Sequence, residues 1–430
     1  MLNNIILNDR NAENNLIHVQ GGNKLLGKVS PDGAKNSALI HLSAACLVTD
    51  GWISVSNLPL ISDVYKQLNI LEEVGMKYRM KNGKVDIHSN VTNPFISSKH
   101  ASKIRASITF LGSIIPKLGE VSLPLPGGDN IGKRPIDIHL DILKAFGIKT
   151  NISECMIHAK AESLPLKAAS IFLRYPSVLS TVNAIFLGVL AEGNTVINNA
   201  AKEPEIVDLV SLLSKMGAKI SGAGTSTISI HGVESLHSAE HEIIPDRLET
   251  GALLTAFVIT GGQGVIENTI PEHNTPLIHI LKNSGAEIEV ENDRIYIKGS
   301  KLNAPINIEA IPYPGLATDL QPTLTALSLI CPEGSVIKDS VFPERFAHVE
   351  EFRRMGANIE RQGNSLYVKN RNELIGAIVE GKDIRSVVSL ICAGLVANGE
   401  TRIKGLEHLM RGHVNFINKL KSLNANIDIL

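Results

Sequence analysis

The chain has 430 residues, of which 43% are hydrophobic and 20% charged, and its formal net charge is −1. This composition is typical of a soluble globular protein with enough residues for two cores. The charges are balanced and form no long Lys/Arg run, so nucleic-acid binding has no support. No stretch approaches ~18 uninterrupted apolar residues, which argues against a membrane-spanning helix. We therefore expect a cytoplasmic protein without nucleic-acid or membrane partners, beginning with a polar, frayed tail over residues 1–15.

Along the chain, one pattern recurs six times with a spacing of about 70 residues. It consists of an apolar residue, a glycine four positions later and another apolar residue three positions after that. Its copies are residues 71–78, 143–150, 213–220, 281–288, 352–359 and 420–427, and Asn424 replaces the glycine in the last. Each copy predicts the end of a helix, a glycine in the left-handed conformation and the start of a strand.

A second series of glycines, in phase with the first, opens short β-rich runs. These are Gly51, Gly119, Gly193, Gly264, Gly334 and Gly399. Small-residue-rich apolar stretches precede most of them, at residues 38–48, 182–191, 253–260, 324–330 and 387–397. Because these stretches are apolar nearly all round, they predict helices buried inside a domain. Each repeat is thus a buried helix, a strand, a second helix and one or two strands, and three repeats would fill one domain of ordinary size.

Cysteines and histidines give little sign of metal chemistry. Cys46, Cys155, Cys331 and Cys392 are scattered, and we interpret them as thiols in a reducing compartment. His237 and His241 have helical ligand spacing but lie in a polar, linker-like stretch, which is a weak zinc signal. No P-loop, nucleophile elbow or dinucleotide fingerprint is present. We predict neither a metal nor a cofactor.

Two segments with charged side chains interrupt the repeat and are candidates for a functional site. Lys35 stands at the start of the first buried helix, where its charge and the free backbone N–H groups suit a phosphate; the alternative is an exposed surface lysine. Residues 125–137 form a loop rich in glycine and proline that presents Asp129, Lys133 and Arg134. The alternative for this loop is a plain turn.

Other charged residues occupy equivalent places in different repeats. Arg105, Arg385 and Arg411 lie beside the turns, and Asp319 precedes a buried helix, where it could also be a helix cap. Pseudo-symmetry would collect these helix starts at one end of each domain. Two such ends facing each other would make an anion-binding cleft.

Together these segments resemble the UDP-N-acetylglucosamine enolpyruvyl transferases, from about residue 17 to the C-terminus. The matching motifs begin at Lys35-Asn36, Arg105-Ala106-Ser107, Pro126-Gly127-Gly128, Glu203-Pro204-Glu205, Pro245-Asp246-Arg247, Thr318-Asp319-Leu320-Gln321, Glu344-Arg345-Phe346, Arg354-Met355-Gly356 and Asp383-Ile384-Arg385. The resemblance implies an α/β fold of two inside-out barrel domains built from six repeats. It places the first domain, carrying the catalytic loop, at residues 35–244, the second at 1–34 plus 245–430, and the active site in the cleft between them.

The activity implied is transfer of the enolpyruvyl group of phosphoenolpyruvate to the 3-hydroxyl of UDP-N-acetylglucosamine, the first committed step of peptidoglycan synthesis. By resemblance, Asp129, Lys35, Asp319 and Arg411 would be catalytic. The phosphoenolpyruvate site would comprise Lys35, Asn36, Arg134, Arg385 and Arg411. The nucleotide-sugar site would comprise Asn36, Arg105, Arg134, Pro135, Ile136, Asp137, Ile138, Tyr175, Pro176, Ser177, Val178, Asp319 and Val341. Asp383, Arg345, Asp246 and Arg247 would support them, in a monomer.

Asp129 is the sharpest departure from the family, most of whose members carry a cysteine there as proton donor and as the site of attack by fosfomycin. A carboxylic acid donates a proton only when it is protonated. We therefore expect an activity optimum more acidic than that of the cysteine enzymes. Without the thiol, we also expect no covalent fosfomycin adduct.

Three further departures concern the acceptor. The family often has Lys-x-Ser-Val-Gly near the nucleotide diphosphate, where this chain has Tyr175-Pro176-Ser177-Val178-Leu179. Met410 replaces a common aspartate, and Thr109 stands where an aromatic residue is frequent. Ordinary drift around one substrate would explain them. The alternatives are an enolpyruvyl transferase with a different nucleotide or nucleotide-sugar acceptor, and an inactive homologue that binds nucleotide sugars.

Overall fold

The computed structural model describes residues 15–49, 51–129, 131–299 and 301–430. The tail expected at residues 1–15 lies outside this part except for its last residue. The chain divides into two compact units. Lobe A is Gly33–Gly128 plus Arg134–Ile244, and lobe B is Met1–Asp32, Asp129–Lys133 and Pro245–Leu430.

The loop residues Asp129–Lys133 group with lobe B, whereas the sequence placed the whole catalytic loop in the first domain. Contacts inside lobe B explain the difference. Asp129 forms an ion pair with Arg411, and a Cβ on Gly132 would lie 3.0 Å from Glu344 Oε2. The two main crossings, after Asp32 and after Ile244, lie within two residues of the predicted boundaries.

The elements of the described chain begin with two strands of lobe B, β1 (Ile17–Gln20) and β2 (Leu26–Val29). Lobe A follows with α1 (Lys35–Ala44), β3 (Trp52–Ser56), α2 (Ser62–Glu73), β4 (Lys77–Lys81), β5 (Lys84–His88), α3 (Ser98–Ala101), α4 (Phe110–Leu118), β6 (Glu120–Pro124), α5 (Asp137–Ala145), β7 (Ile148–Ser153), β8 (Met156–Ala161), β9 (Ser170–Phe172), α6 (Val178–Val189), β10 (Asn194–Asn198), α7 (Pro204–Lys215), β11 (Lys219–Ser221), β12 (Thr227–His231) and β13 (Ala239–Glu242).

The rest of lobe B contains α8 (Arg247–Ile259), β14 (Gln263–Ile266), α9 (Thr275–Asn283), β15 (Glu287–Glu291), β16 (Arg294–Lys298), β17 (Ile308–Ala310), α10 (Gln321–Ser328), β18 (Ser335–Asp339), α11 (His348–Arg354), β19 (Ile359–Gln362), β20 (Ser365–Val368), β21 (Ile378–Glu380), α12 (Ile384–Gly394), β22 (Glu400–Lys404), α13 (Leu406–Leu409), α14 (Phe416–Ser422) and β23 (Asn426–Ile429). Short 3₁₀ turns cover Ala45–Leu47, Arg105–Thr109, Pro271–Asn274 and Thr318–Leu320.

The strands of the described residues form three sheets in each lobe. In lobe A the orders are β13-β3-β5-β4, β6-β8-β7 and β11-β12-β10-β9; in lobe B they are β15-β16-β14-β2, β17-β18-β20-β19 and β21-β22-β1-β23. In the four-stranded sheets one strand pairs in parallel with an edge strand and antiparallel with another, as β3 does with β13 and β5. The sixfold α/β architecture is confirmed, with six open sheets and no closed barrel in the described part of the chain.

The N-terminal strand completes the last repeat, because β1 lies antiparallel between β22 and β23. The predicted turn residues are confirmed as well. Gly75, Gly147, Gly217, Gly285, Gly356 and Asn424 all have positive φ. This conformation is open to glycine and tolerated by asparagine, which explains the repeated pattern.

Buried helices form the centre of each lobe: α1, α4 and α6 in lobe A, and α8, α10 and α12 in lobe B. Five of them match the predicted apolar stretches. The sixth, α4, was missed because Gly112 and Pro116 interrupt it. Gly112 permits the close approach of α6, since a Cβ there would lie 2.7 Å from Asn183 Oδ1.

Candidate functional site

Lys35 is the first residue of α1, and its side chain is buried rather than on the open surface. Its Nζ lies 2.8 Å from Asp63 Oδ2, and Lys66 Nζ lies 3.7 Å from the other oxygen of that carboxylate. Two cations therefore share one carboxylate beside a helix start, an arrangement that attracts a further anion. Asn36 is exposed on the same first turn. Asp63 was not predicted from the sequence. The one feature that could have indicated it is its place in the first turn of α2.

Arg105 and Arg134 lie side by side in lobe A. Arg105 Nη2 donates to the carbonyl oxygens of Arg134, at 2.6 Å, and of Pro135, at 3.2 Å. Burial and the neighbouring charge of Arg134 lower the pKa of Arg105 to about 10, which leaves it cationic at neutral pH. Gly128 packs against both arginines: a Cβ there would lie 3.1 Å from Arg105 Cβ and 3.2 Å from Arg134 Nη1. The glycine-rich loop thus packs closely on the base of Arg105 and on the guanidinium group of Arg134.

Arg174 links the two stretches predicted for the nucleotide sugar. Its guanidinium group forms ion pairs with Asp137 and, at 3.1 Å, with Asp141. Residues 134–138 precede and begin α5, and residues 175–178 precede and begin α6. Arg174 was missed by the sequence reading. It places a cation one position before Tyr175, which stands where the resemblance places a lysine.

Asp319 lies between two arginines in lobe B. Its Oδ1 is 2.5 Å from Arg345 Nη1, and its Oδ2 is 3.1 Å from Arg385 Nη2 and 3.2 Å from Arg385 Nε. Burial alone would raise the pKa of the Asp319 carboxyl, but the two guanidinium charges and their hydrogen bonds hold it well below its usual range. The helix-cap alternative for Asp319 is wrong, since neither its 3₁₀ turn nor α10 has a side-chain cap.

Arg385 is fixed from two sides. Asp383 caps α12 by accepting from the backbone N–H groups of Arg385, at 2.9 Å, and Ser386, at 3.2 Å. At the other end of the side chain, Arg385 Nη1 lies 2.5 Å from Nε2 of the buried His413. His413 was missed, because a histidine after Gly412 carries no motif signal. The supporting role expected for Asp383 takes the form of a capping box.

Three other predicted residues have local structural partners in lobe B. Asp246 caps α8 by accepting from the N–H groups of Leu248 and Glu249. Arg247 lies over the ring of Tyr313, with Cζ 5.5 Å from the ring centroid. The N–H of Val341 donates to Asp339 Oδ1 at 2.9 Å.

Asp129 and Arg411 form an ion pair, and each side chain is 15% exposed. The proposed proton donor and one of the proposed phosphate ligands therefore neutralise each other.

Two of the three positions at which the chain departs from the family near the acceptor lie in the protein interior. Thr109 is fully buried and hydrogen-bonds Ser43 Oγ at 2.6 Å, and Met410 is 4% exposed. Residues 175–179 are at least partly exposed.

Each lobe thus contains clustered cations, and lobe B also has two carboxylates, Asp129 and Asp319, paired with its arginines. Such sets suit an anionic substrate whose reaction needs proton transfer. The family model for EPSP synthase (3-phosphoshikimate 1-carboxyvinyltransferase) matches residues 19–420. The chain therefore belongs to the carboxyvinyl transferase, or enolpyruvyl transferase, family.

Relatives within this family carry a more specific name. UDP-N-acetylglucosamine 1-carboxyvinyltransferase 1 of Staphylococcus aureus is 42% identical over 415 residues, covering 96% of this chain and 98% of the relative. The protein of the same name from Staphylococcus epidermidis has the same identity and coverage.

Solved structures share the fold at lower identity. The enolpyruvyl transferase NikO from Streptomyces tendae has a TM-score of 0.85 at 22% identity, covering 96% of this chain and 98% of that one. EPSP synthase from Acinetobacter baumannii has a TM-score of 0.78 at 20% identity, covering 97% of this chain and 100% of that one. Among the described residues, no helix combines the length and apolar character needed to cross a membrane.

Proposed function

We propose that the protein transfers the enolpyruvyl group of phosphoenolpyruvate to the 3-hydroxyl of UDP-N-acetylglucosamine and releases phosphate. The identity of 42% over 96% of the chain to enzymes named for this reaction carries the proposal. The cation clusters support it, because phosphoenolpyruvate bears a phosphate and a carboxylate. We also infer a cytoplasmic monomer, which light scattering of the purified protein would test.

In this proposal lobe A binds the phosphate and the nucleotide sugar. Lys35 and Arg134 hold the phosphate of phosphoenolpyruvate, with Asn36 at the same helix start. Arg105 positions Arg134 through its main-chain hydrogen bond and contacts the nucleotide sugar. Residues 134–138 and 175–178 form the acceptor wall, and Arg174 supplies the cation that Tyr175 does not.

In lobe B, Arg385 would bind the carboxylate of phosphoenolpyruvate and Arg411 its phosphate. Asp319 orients the attacking hydroxyl as a hydrogen-bond acceptor. We assign Asp319 the role of orienting the hydroxyl rather than that of a general base, because the charges of Arg345 and Arg385 keep its pKa well below the usual range. The proposed chemistry therefore draws its ligands from both lobes, and it needs water to be excluded from the bound substrates.

Asp129 would protonate C3 of the enol while the sugar oxygen bonds to C2 and passes its proton to the phosphate group. Departure of the protonated phosphate from C2, with return of a proton from C3 to the Asp129 carboxylate, then restores the carbon–carbon double bond in the product. Before the first step, Asp129 must separate from Arg411 and take up a proton. Binding of the substrate phosphate to Arg411 would supply that separation, because the phosphate competes for the same guanidinium group.

The exposed segment at residues 175–179 favours one second candidate, an enolpyruvyl transferase with a different nucleotide-sugar acceptor. Leu179 stands where the resemblance places a glycine, and a side chain there narrows the approach of an acceptor backbone or phosphate. The interior positions of Thr109 and Met410 give this candidate no support.

Phosphate release from phosphoenolpyruvate, measured with a panel of acceptors, tests both candidates. We expect release with UDP-N-acetylglucosamine and none with shikimate 3-phosphate. Release with another nucleotide sugar alone would establish the second candidate. If no acceptor supports release, although an intact cysteine-type relative is active in the same assay, the protein is an inactive homologue.

A further inference from the structure

Three buried residues of lobe A, from separate elements, face one another, and none of them is a proposed substrate ligand. His41 lies on α1, Asp208 on α7 and His241 on β13. One side-chain ligand atom from each lies within 4.8 Å of the others. The two imidazole rings are stacked, with centroids 4.9 Å apart. His41 is fully buried, Asp208 is 5% exposed and His241 is 6% exposed.

The hydrogen bond of His41 determines the tautomer of its imidazole ring, and thus which nitrogen atom offers a lone pair to the cluster. Nδ1 lies 2.7 Å from the carbonyl oxygen of Ser37. A carbonyl only accepts, so Nδ1 carries the proton and Nε2 is left as an acceptor.

His41 Nε2 points at another acceptor, because Asp208 Oδ2 lies 3.5 Å away. Within the part of the chain that the structure describes, neither atom has a hydrogen-bond partner. Two buried acceptors that face each other are costly, because each loses its hydration, and the Ser37 hydroxyl beside Asp208 is a neutral donor that brings no compensating charge. A cation between them would remove this cost.

We propose that His41 Nε2, the Asp208 carboxylate and His241 Nε2 bind one divalent transition-metal ion of the zinc class, with a water molecule as its fourth ligand. Two imidazoles and a carboxylate are ligands that zinc accepts, at ~2.0–2.2 Å. Around a tetrahedral ion such bonds place neighbouring ligand atoms roughly 3.3 Å apart, close to the 3.5 Å between His41 and Asp208. The carbonyl of Ser37 holds the first ring in the orientation that metal-binding histidines usually have.

His241 must exchange a proton for the ion. Its Nε2 lies 2.7 Å from Asp208 Oδ1, and Lys215 Nζ lies 3.2 Å from its Nδ1. In the metal-free cluster Nε2 therefore donates to the carboxylate. Binding of the ion releases that proton to solvent and separates the two atoms by about half an ångström. Lys215 is a neighbouring cation, and its charge weakens the site without blocking the ligand atom.

A metal ion here would join α1 to α7 and β13, and would thus brace the helix whose first residue is Lys35. Its role would be structural, since none of the three ligands belongs to the proposed substrate sites. His237, which has helical spacing to His241 in the sequence, is exposed and is not part of the cluster.

The test uses the full chain, stripped with a chelator and dialysed. ZnCl₂ is titrated by calorimetry, and CoCl₂ by visible absorption, in which four-coordinate cobalt gives an intense band. We expect one equivalent of either ion to bind and the Tm to rise. His41→Gln and Asp208→Asn should abolish the cobalt band, whereas the control His237→Gln should retain it.

Absence of stoichiometric zinc and cobalt binding by the wild-type protein would overturn the proposal, whether or not the variants fold. So would binding that survives in folded Asp208→Asn or is lost in His237→Gln. Phosphate release by the wild-type protein is measured separately, so that failure of the metal site is distinguishable from failure of the proposed function.

Discussion

Asp129 forms an ion pair with Arg411, although the two residues are 282 positions apart in the chain. The proposed function gives these side chains opposite tasks, protonation of carbon and binding of phosphate. Neither task is possible while each charge neutralises the other. Opening of this pair by the substrate phosphate would therefore couple phosphoenolpyruvate binding to activation of the acid.

We predict that kcat falls with rising pH, because Asp129 must carry a proton to act as the acid and a carboxylic acid is a stronger acid than a thiol. Asp129→Cys should move the falling limb to higher pH, since a cysteine thiol keeps its proton up to about pH 8.5. The measurement is the pH dependence of phosphate release at saturating substrates. A wild-type rate that increases above pH 8 would exclude Asp129 as the acid.

Fosfomycin should leave the wild-type protein unmodified and should alkylate Asp129→Cys. The epoxide needs a strong nucleophile, and a thiolate is far more nucleophilic than a carboxylate held by Arg411. Intact-mass spectrometry after incubation with fosfomycin and the acceptor would show one added inhibitor in the variant alone. An adduct on wild-type protein, mapped to Asp129, contradicts the prediction.

Replacement of Asp319 by alanine should destabilise lobe B. It leaves two buried guanidinium groups, those of Arg345 and Arg385, without their shared carboxylate. Breaking a buried pair in this way costs about 3–5 kcal/mol. We expect a lower Tm for Asp319→Ala, and a partial recovery when formate or acetate is added.

The matched control for this rescue is Asp428→Ala, which removes an exposed carboxylate paired with Lys421. Its Tm should change little and should not respond specifically to formate. Equal effects of formate on both variants would show that Asp319 does not hold an anion-binding position between the arginines.

Much of the fold was predictable because the repeated residues meet conformational requirements of the backbone. Six left-handed turn positions and five stretches that are apolar nearly all round leave few architectures open, and both sets are confirmed. The sequence did not predict helix α4, because glycine and proline, here Gly112 and Pro116, usually indicate a turn. The need for glycine there comes from Asn183 on another helix, which is a contact between distant parts of the chain.

Residues of the candidate site divide in the same way. The sequence predicted Lys35, Arg105 and Asp319 as site residues because they lie at helix starts or adjacent turns. Their partners Asp63 and His413 did not, because each is one polar residue in an unremarkable segment and gains its role only from tertiary contacts. The grouping of residues 129–133 with lobe B was equally hidden, since it depends on the ion pair with Arg411.

Gly128→Ala should raise the KM for phosphoenolpyruvate several-fold as well as lower the Tm. Its φ is +106°, so any side chain is strained by about 1–2 kcal/mol. The new Cβ would also press on Arg105 and Arg134. Gly22→Ala is the control, because its φ is +107° and nothing lies within 4 Å of the added atom. The control should lose stability alone, and an unchanged KM in Gly128→Ala would argue against Arg134 as a phosphate ligand.

Glu249 should make the stability of lobe B dependent on pH. It is 1% exposed, its Oε1 lies 2.7 Å from Lys419 Nζ, and its Oε2 accepts from the N–H of Asp32 at 2.5 Å. Burial raises the pKa of this carboxyl from 4.5 to about 7; the charge of Lys419 opposes the rise and that of Asp32 adds to it. The protonated form is thereby favoured in the folded state by ~3 kcal/mol.

That stabilisation is present in full below pH 4.5, the ordinary value, and is lost as the pH rises to about 7. Glu249→Gln stays neutral at every pH, so the Tm of the variant minus that of the wild type should increase between pH 5 and 7.5. Taking the difference cancels the other titrating groups. Glu291→Gln, an exposed control, should give a flat difference. A flat difference for Glu249→Gln as well would mean that the buried carboxyl stays ionised beside Lys419, and that the pH dependence of this lobe arises elsewhere.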